Sequence, residues 1–307
     1  MKGIPVQGLL ISMSFTIITD TSANLSADYL ESEAITAIPY KFSIDGEEHT
    51  CTDLDRFDRE EAESFYASIK NGAKVNTSQI TPAEFEEAFE PELKAGRDVL
   101  FISMSSGISG SFDSCTSAIK ELEEKYPDRR VLAFDTLAAS LGEGLAVLHA
   151  VRCRDKGMSI DETLAFLERK RARLYQVVLV EDLMHLHRGG RISAPKALLG
   201  TVLGIRPILK GDEKGHLVVR DKVRGRKKGL AYLAEKYAEL VDRGTEQTVC
   251  IAFTDCLADA LELGERIKGI FKPGELVIKR YEPVTGKHIG PGTVALFFEG
   301  REGVRAL

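Results

Sequence analysis

Residues 99–111 read Val-Leu-Phe-Ile-Ser-Met-Ser-Ser-Gly-Ile-Ser-Gly-Ser, an apolar run followed by a turn of mostly small residues. A helix is predicted to begin just after it, near Phe112. Small residues at a strand-to-helix turn let backbone N–H groups and hydroxyls converge on one point, and the helix N-terminus adds positive potential there. We therefore expect the segment Ser105–Ser111 to hold an anion.

Further strand-then-helix units lie on both sides of this turn. Apolar runs at Phe15–Asp20 and Val131–Asp135 each end in polar residues. The segment Thr81–Glu84 predicts a helix start, because it places Thr at the cap, Pro at the first position and Glu three residues beyond the cap. The Asp45-Gly46 pair predicts a hairpin over Ile38–Cys51. This alternation predicts an α/β domain with a mainly parallel sheet flanked by helices.

The second half of the chain has a different pattern. Strands are predicted at Tyr175–Glu181 and on both sides of a turn at Gly211–Gly215, and a very apolar helix is predicted at Ala194–Gly204. A mixed sheet with helices accounts for these elements. We expect two α/β domains, at residues 13–172 and 173–307.

Composition excludes several classes of protein. The 307 residues carry a formal net charge of −6. The chain has five cysteines, and none of them forms a CxxC pair. The spacing argues against a zinc or redox site, and the odd number suits a reducing cytoplasm. His185 and His187 are two apart, so a helix would point them in different directions and no metal site is predicted. No apolar run approaches the roughly 20 residues that span a bilayer. Residues 1–12 read as a loose leader rather than a signal peptide.

Positive charge is concentrated in one part of the chain. Residues 169–228 contain sixteen Lys and Arg against five Asp and Glu. Such a segment could be an ordinary solvated surface, or it could steer an acidic or phosphate-bearing partner. Nucleic acid is the less favoured partner, because the chain is acidic overall and no aromatic residues interleave the basic cluster.

Polar residues at the carboxyl ends of parallel strands are where α/β proteins bind ligands. Four groups fit this description: Asp20–Ser22, Thr77–Gln79, Ser105–Ser111 and Asp135–Ser140. The first of them could equally be a simple turn, and the last could be ordinary helix capping.

Two kinds of protein remain open at this point. Gly107–Ser111 nearly matches the Gly-x-Ser-x-Gly turn of serine hydrolases, with Ser109 as nucleophile and His288 as base, but Ser111 replaces the last glycine. No glycine-rich segment ends in Gly-Lys-Ser/Thr, so a nucleotide-binding P-loop is not predicted. A carrier would need only polar donors and an apolar pocket, for which Ala138–Val151 and Ala197–Leu209 could supply walls.

Seven motifs together resemble the DegV family, bacterial fatty-acid-binding proteins that include the FakB subunits of fatty acid kinase. They occur in the family's order and approximate spacing between Phe15 and Phe298, and they are Asp20–Ser22, Thr77–Gln79, Ser105–Ser111, Gly189–Ser193, Ile205–Leu209, Arg224–Lys228 and His288–Gly292.

The resemblance implies two α/β domains with a long-chain fatty acid in the cleft between them. It implies that Thr77, Ser109, the Gly110 N–H and His288 bind the carboxylate, with Ser78, Ser106 and Ser111 as further candidates. It also implies that Arg191 and Arg224 meet an ATP-dependent kinase subunit, which phosphorylates the carboxylate that the carrier presents.

The sequence departs from the family pattern at a few positions. Ile289 stands where the family usually has Thr after the histidine, which removes one hydroxyl near the head group, and Ile108 and Ser111 replace the usual Leu and Thr.

We expect a cytoplasmic carrier without catalytic activity of its own, without cofactor or metal, and without stable membrane insertion. A hydrolase using Ser109 and His288 is the alternative.

Overall fold

A computed structural model describes residues 15–52, 54–192 and 204–307 of the chain. All but the last residue of the predicted helix over Ala194–Gly204, and most of the proposed wall Ala197–Leu209, lie outside these residues.

The first half of the chain contains a four-stranded, fully parallel sheet. Its strands are β1 (Phe15–Asp20), β2 (Thr36–Ile38), β6 (Asp98–Ser103) and β7 (Val131–Asp135), in the order β2-β1-β6-β7. Side chains of β6 alternate between two cores, with Val99 and Phe101 in one and Leu100 and Ile102 in the other. The predicted parallel sheet is therefore confirmed, and both of its faces are buried.

A second, antiparallel sheet of three strands is built from β3 (Lys41–Ile44), β4 (Glu47–Thr50) and β5 (Val75–Ser78), in the order β4-β3-β5. The hairpin predicted around Asp45-Gly46 is confirmed as β3 and β4. The expectation that Thr77–Gln79 ends a parallel strand is wrong, because Thr77 lies in β5 opposite Phe42 of β3. A four-residue strand with the polar sequence Val-Asn-Thr-Ser carries too weak a hydrophobic pattern to be recognised alone.

The second half contains a six-stranded mixed sheet, as predicted. Its strands run in the order β10-β9-β8-β13-β11-β12, and among them only β11 and β12 pair in parallel. The bounds are β8 (Leu174–Leu179), β9 (Ile205–Gly211), β10 (Leu217–Arg224), β11 (Thr248–Phe253), β12 (Glu275–Arg280) and β13 (Val294–Glu299).

Helices cover these sheets. Those of the first half are α1 (Ala27–Ser32), α2 (Leu54–Arg56), which continues through a π turn (Phe57–Glu61) into α3 (Ala62–Lys70), α4 (Pro82–Lys94), α5 (Ser111–Lys125), α6 (Leu141–Asp155) and α7 (Ile160–Arg173). Those of the second half are α8 (Leu183–Arg188), α9 (Arg226–Leu240), α10 (Leu257–Ile270) and α11 (Pro283–Ile289). The predicted start of α4 is confirmed, because Thr81 and Glu84 form reciprocal cap hydrogen bonds.

Helix α6 is buried between the two larger sheets. Its Val147, Ala150 and Val151 pack against the parallel sheet, while Leu141 and Leu145 pack against the mixed sheet. A helix that is apolar around most of its circumference has to be buried on all sides. Helices α4 and α5 cover the outer face of the parallel sheet, and α9 and α10 cover that of the mixed sheet.

The turn between β9 and β10 reaches across to the first half of the chain. Ser105 Oγ donates to the Gly215 carbonyl over 2.8 Å. Gly215 has φ +78°, and a Cβ there would lie 2.0 Å from Ser105 Oγ, so only glycine fits this contact. The two halves therefore meet directly beside the Ser105–Ser111 turn.

Glu299 at the end of β13 ties the mixed sheet to α6 and α7. Its carboxylate pairs with His149 over 2.8 Å and with Lys170 over 2.5 Å. Burial favours a higher pKa for Glu299, but the bonds and charges of His149 and Lys170 outweigh it and bring the pKa down from 4.5 to about 2.

We expect Glu299→Gln to lower the free energy of unfolding by about 3 kcal/mol at pH 7. A depressed carboxyl pKa stabilises the fold fully above pH 4.5, and that stabilisation is lost as the pH falls towards 2. Urea denaturation at pH 7 and pH 3 measures both values, with exposed Glu302→Gln as the control. A penalty that is equally large at pH 3 would contradict this assignment.

Candidate functional site: a polar cavity joined to an apolar one

The Ser105–Gly110 loop leads directly from β6 into α5, as the sequence predicts. Gly110 caps this 15-residue helix without a side-chain hydrogen bond, so the helix presents backbone N–H groups at the loop. A Cβ on Gly110 would lie 2.3 Å from Gln79 Oε1. The Thr77–Gln79 segment therefore approaches the loop closely, with the flexible Gln79 side chain against Gly110.

Three hydroxyl groups meet at this helix start. Tyr40 Oη lies 2.9 Å from Ser111 Oγ and 3.5 Å from Ser109 Oγ, and the two serine hydroxyls are 3.1 Å apart. The backbone N–H of Ile80 donates to Ser111 Oγ over 3.2 Å. Ser111 is fully buried, whereas Ser109 is partly exposed. Ser109 is thus the hydroxyl that faces open space, and Ser111 lies behind it.

Thr77 and His288 lie close together on the side of the site opposite Ser109. Thr77 Oγ1 and His288 Nε2 are 2.8 Å apart. His288 lies on α11, whose first turn is capped by the Glu282 carboxylate accepting from the Val284 and Thr285 N–H groups.

His288 is held in the neutral state. Burial, and then the positive charges of Arg191 and Lys287, lower its pKa from 6.5 to about 3. Its Nδ1 has no hydrogen-bond partner among the described residues. The imidazole can therefore exchange hydrogen bonds at this site, but it does not supply positive charge near neutral pH.

Positive charge comes instead from Arg191. It is half-buried, its Nη1 donates to the Gly189 carbonyl over 2.6 Å, and burial lowers its pKa. Within the described part of the chain, Arg191 forms no ion pair with a carboxylate. A guanidinium placed in this way can accept an anionic partner in the cavity that it lines.

Two adjoining cavities lie between these groups. The polar cavity has a volume of about 200 Å³, and its wall consists of Tyr40, Thr77, Ser78, Gln79, Met104, Ile108, Ser109, Gly110, Arg191, Val284, Thr285 and His288. The apolar cavity, of about 50 Å³, shares Ile108, Arg191, Thr285 and His288 with it. The rest of the apolar wall comes from the interior face of the mixed sheet and its neighbours: Ala138, Ala139, Gln176, Val178, Leu186, Gly215, Leu217, Tyr281, Ile289 and Phe297.

The other residues that the sequence predicts for the site do not all lie in the cavity walls. Ser78 lines the polar cavity, but Ser106 lies in neither wall and donates to Asp135 Oδ2 over 2.5 Å. Arg224, at the exposed end of β10, also lies outside both walls. Ile289 is buried in the apolar wall.

The two remaining strand-end groups, Asp20–Ser22 and Asp135–Ser140, both begin with an aspartate that closes a local turn. Asp20 accepts from the Ser22 N–H over 2.8 Å, and Asp135 accepts from the Leu137 N–H over 3.0 Å. Asp20–Ser22 lines neither cavity, which fits the turn interpretation, whereas Ala138 and Ala139 of the second group lie in the apolar wall. The capping interpretation of Asp135–Ser140 is wrong, because Asp135 closes a local turn and α6 begins after Ser140 without a side-chain cap.

Like Thr285, Tyr40 is a polar residue of the cavity wall that sequence reasoning missed. It follows Pro39 between β2 and β3, and no local pattern distinguishes it from a core aromatic residue. Its position in the cavity depends on how the antiparallel sheet packs against the Ser105–Gly110 loop.

The arrangement does not match a serine hydrolase. That chemistry needs a histidine within reach of the serine and a carboxylate that orients the histidine. Here His288 Nε2 meets Thr77, and no carboxylate of the described residues meets Nδ1.

Neither a metal-binding cluster nor a membrane-spanning helix is present among the described residues. They contain no cluster of His, Cys, Asp and Glu that could hold a metal ion. His185 and His187 contact different carbonyls, those of Lys287 and Ile192. None of the helices described above combines the length and the apolar character needed to cross a bilayer.

Comparison with known proteins identifies a family. The family model described as "Uncharacterised protein, DegV family" matches residues 14–301. A DegV domain-containing protein from Clostridium perfringens is 37% identical over 287 residues, which cover 93% of this chain and 97% of that protein.

Two solved structures are similar over nearly the whole chain. A fatty acid binding DegV family protein from Streptococcus agalactiae superposes with a TM-score of 0.82 at 28% identity, covering 94% of this chain and 100% of that one. DegV from Bacillus subtilis, a fatty acid binding protein, superposes with a TM-score of 0.80 at 26% identity and the same coverage. On this evidence the chain belongs to the DegV family.

Proposed function

We propose that this protein binds a long-chain fatty acid, with the carboxylate in the polar cavity and the acyl tail in the apolar cavity. The observation that carries this proposal is the junction of the two cavities at Ile108, Arg191, Thr285 and His288. An amphipathic ligand needs that combination, because its charged and apolar ends have to be accommodated within one site. The fatty acid binding of the Streptococcus agalactiae and Bacillus subtilis relatives supports it.

The carboxylate would be held by hydroxyl donors and one cation. Ser109 and Thr77 supply hydroxyls from opposite walls, the start of α5 supplies N–H groups, and Arg191 supplies positive charge. The sequence resemblance assigns Arg191 to partner binding, but its place in both cavity walls favours contact with the ligand. Charge-assisted hydrogen bonds of this kind offset the cost of removing a carboxylate from water.

The acyl tail would supply most of the affinity. Burying each methylene contributes about 0.8 kcal/mol, so a tail of about 14 methylenes gains about 11 kcal/mol before any cost. A cavity of about 50 Å³ holds only a few groups the size of a water molecule. The tail therefore enters by displacing side chains of the apolar wall, which reduces the net gain.

The protein would act as a carrier rather than an enzyme. Its site holds a carboxylate but assembles no activated nucleophile, so chemistry on the head group requires a second protein. We propose that an ATP-dependent fatty acid kinase subunit phosphorylates the presented carboxylate. We also propose a cytoplasmic location, which suits five cysteines that are all free thiols.

The surface for that partner would lie where β10 meets α9. Arg224, Lys227 and Lys228 are exposed there and have no ion-pair partner among the described residues. Arg226 is different, because it is tied to Asp259 over 2.8 Å. Unpaired cations at one place would steer an anionic partner towards the protein.

Ser109→Ala is expected to keep its bound lipid but to impair phosphorylation, because the tail sets affinity and the hydroxyl sets orientation. Native mass spectrometry of the purified variant should still show the mass of an acyl acid. Acyl phosphate formation with the kinase should fall by about tenfold or more. Ser117→Ala, on the exposed side of α5, is the matched control. A folded Ser109→Ala protein without any lipid would contradict this division of roles.

Arg191→Met is expected to weaken the binding of a fatty acid by about tenfold to a hundredfold, because it removes a charge-assisted bond to the carboxylate. The fatty alcohol of the same chain length carries no charge and should bind the variant as it binds the unmodified protein. Isothermal titration of both ligands measures the two affinities. Equal losses for acid and alcohol would show that Arg191 supports the cavity wall rather than the head group.

Arg224→Ala is expected to slow acyl phosphate formation by about tenfold at low salt while the affinity for fatty acid stays unchanged. The difference should shrink as salt screens the interaction. Arg243→Ala is the control, because Arg243 follows the other end of α9, about 22 Å away along a 15-residue helix. If both variants slow the reaction equally, Arg224 is not part of the partner surface.

A further inference from the structure

An amide side chain lies in the wall of the apolar cavity, where the proposed function gives it no role. Gln176 is 6% exposed, and it belongs to the part of that wall that the polar cavity does not share. Among the described residues of the wall, it is the one that carries an amide group. A buried amide ordinarily has hydrogen-bond partners for both its nitrogen and its oxygen.

The Leu137 carbonyl determines which way this amide faces. It accepts from Gln176 Nε2 over 3.2 Å and from Arg305 Nη2 over 2.8 Å. Because a carbonyl can only accept, the amide nitrogen, and not the oxygen, has to lie against it. The nitrogen also lies over β9, since a Cβ on Gly211 would be 1.8 Å from Gln176 Nε2. The amide oxygen therefore points to the side away from both of these contacts.

That oxygen has no donor. Gln176 Oε1 accepts no hydrogen bond from the described residues, although the side chain is buried. It is not among the unpartnered polar atoms that the protein encloses completely. Since Gln176 lines the apolar cavity, the oxygen is open to that cavity. An amide oxygen has two lone pairs and no proton, so only a donor can satisfy it.

The amide lies towards the tail end of the site. Gln176 and Val178 are on the same face of β8, about 7 Å apart, and both line the apolar cavity. β8 runs on from Val178 towards α8, and α8 contacts α11 beside the head group through His185 and the Lys287 carbonyl. Val178 is thus the nearer of the two to the head group, and Gln176 meets a more distant part of the acyl chain.

A plain hydrocarbon tail fits this oxygen poorly. Methylene groups that fill the cavity would exclude water from Gln176 Oε1 and offer no proton in return, which leaves a buried acceptor unsatisfied. An ammonium group could donate, but a cation buried among apolar side chains without a counter-charge is far more costly. A hydroxyl supplies the proton without a charge and leaves the rest of the chain apolar.

We propose that the apolar cavity contains a subsite for a hydroxyl group on the acyl chain, with Gln176 Oε1 as its acceptor, so that the protein favours hydroxy fatty acids over plain ones. This inference rests on the proposed function and deepens it by naming the class of acyl chain. Because Gln176 is outside the polar cavity, the hydroxyl has to be remote from the carboxylate.

Gln176→Leu tests this inference, because it replaces the amide with an apolar side chain of similar size and leaves the Leu137 carbonyl bonded to Arg305. The ligands are octadecanoic acid and its hydroxy derivatives, with the hydroxyl beside the carboxyl group, at mid-chain or near the methyl end. Isothermal titration gives the ratio of hydroxy-acid to plain-acid affinity. We expect the unmodified protein to prefer a remote isomer, and Gln176→Leu to lower that ratio by about tenfold or more.

Val178→Ala is the matched control, since it widens the same wall without changing its polarity. It should change the affinities for the plain and hydroxylated acids by the same factor, so that their ratio stays constant. Gln176→Met repeats the test with a second apolar side chain and should lower the ratio as Gln176→Leu does. The isomer with its hydroxyl beside the carboxyl group should keep the same ratio in every variant.

Two results would overturn the inference. One is a ratio that stays the same in the unmodified protein and in both Gln176 variants for every isomer. The other is tighter binding of octadecanoic acid than of every hydroxy isomer by the unmodified protein. Both can be observed while octadecanoic acid still binds, so they leave the proposed function standing. If the unmodified protein binds none of these acids, the proposed function and this inference fail together.

Discussion

A carboxylate leaves water only where hydrogen-bond donors and positive charge replace its hydration, since burying an unpaired charge costs several kcal/mol or more. The polar cavity meets this requirement with groups from separate parts of the chain. Ser109 and the start of α5 supply donors, Thr77 and a neutral His288 form the opposite wall, and Arg191 brings the charge. The proposed carrier function depends on these groups remaining in place while the ligand is absent.

The fold holds these groups by joining two sheets through one buried helix. Because α6 packs against both the parallel and the mixed sheet, the loop after β6 and the helix α11 are fixed relative to each other. The Ser105–Gly215 contact and the Glu299 ion pairs add polar links between the same two layers. The apolar cavity lies where the interior face of the mixed sheet meets Ile108 and Ala138.

Local sequence signals predicted part of this architecture. The apolar run before Ser105–Ser111, the cap at Thr81 and the turn at Asp45-Gly46 each depend on residues close in sequence, so they could be recognised without knowledge of the tertiary structure. The site residues Thr77 and His288 came from the family resemblance, and their 2.8 Å contact spans 211 positions of the chain. Long-range pairing of this kind leaves no periodic pattern in a sequence.

Three features could not be predicted for the same reason. The short strand β5 is polar and is stabilised by its ladder to β3, so its sheet was assigned wrongly. Tyr40 resembles an ordinary core residue, and only the packing of β3 beside the Ser105–Gly110 loop places its phenol on the serines. Arg191 likewise belongs to a basic segment of the sequence, and its place in the cavity walls depends on the path of the chain directly after α8.

The central claim is that an acyl tail is buried in the apolar cavity while its carboxylate stays in the polar one. Titration calorimetry with saturated fatty acids of increasing length tests it most directly. Each added methylene should raise the affinity by about fourfold, corresponding to about 0.8 kcal/mol, until the tail reaches the end of the cavity. An affinity that does not change with chain length would mean that the tail remains in water, and would contradict the account.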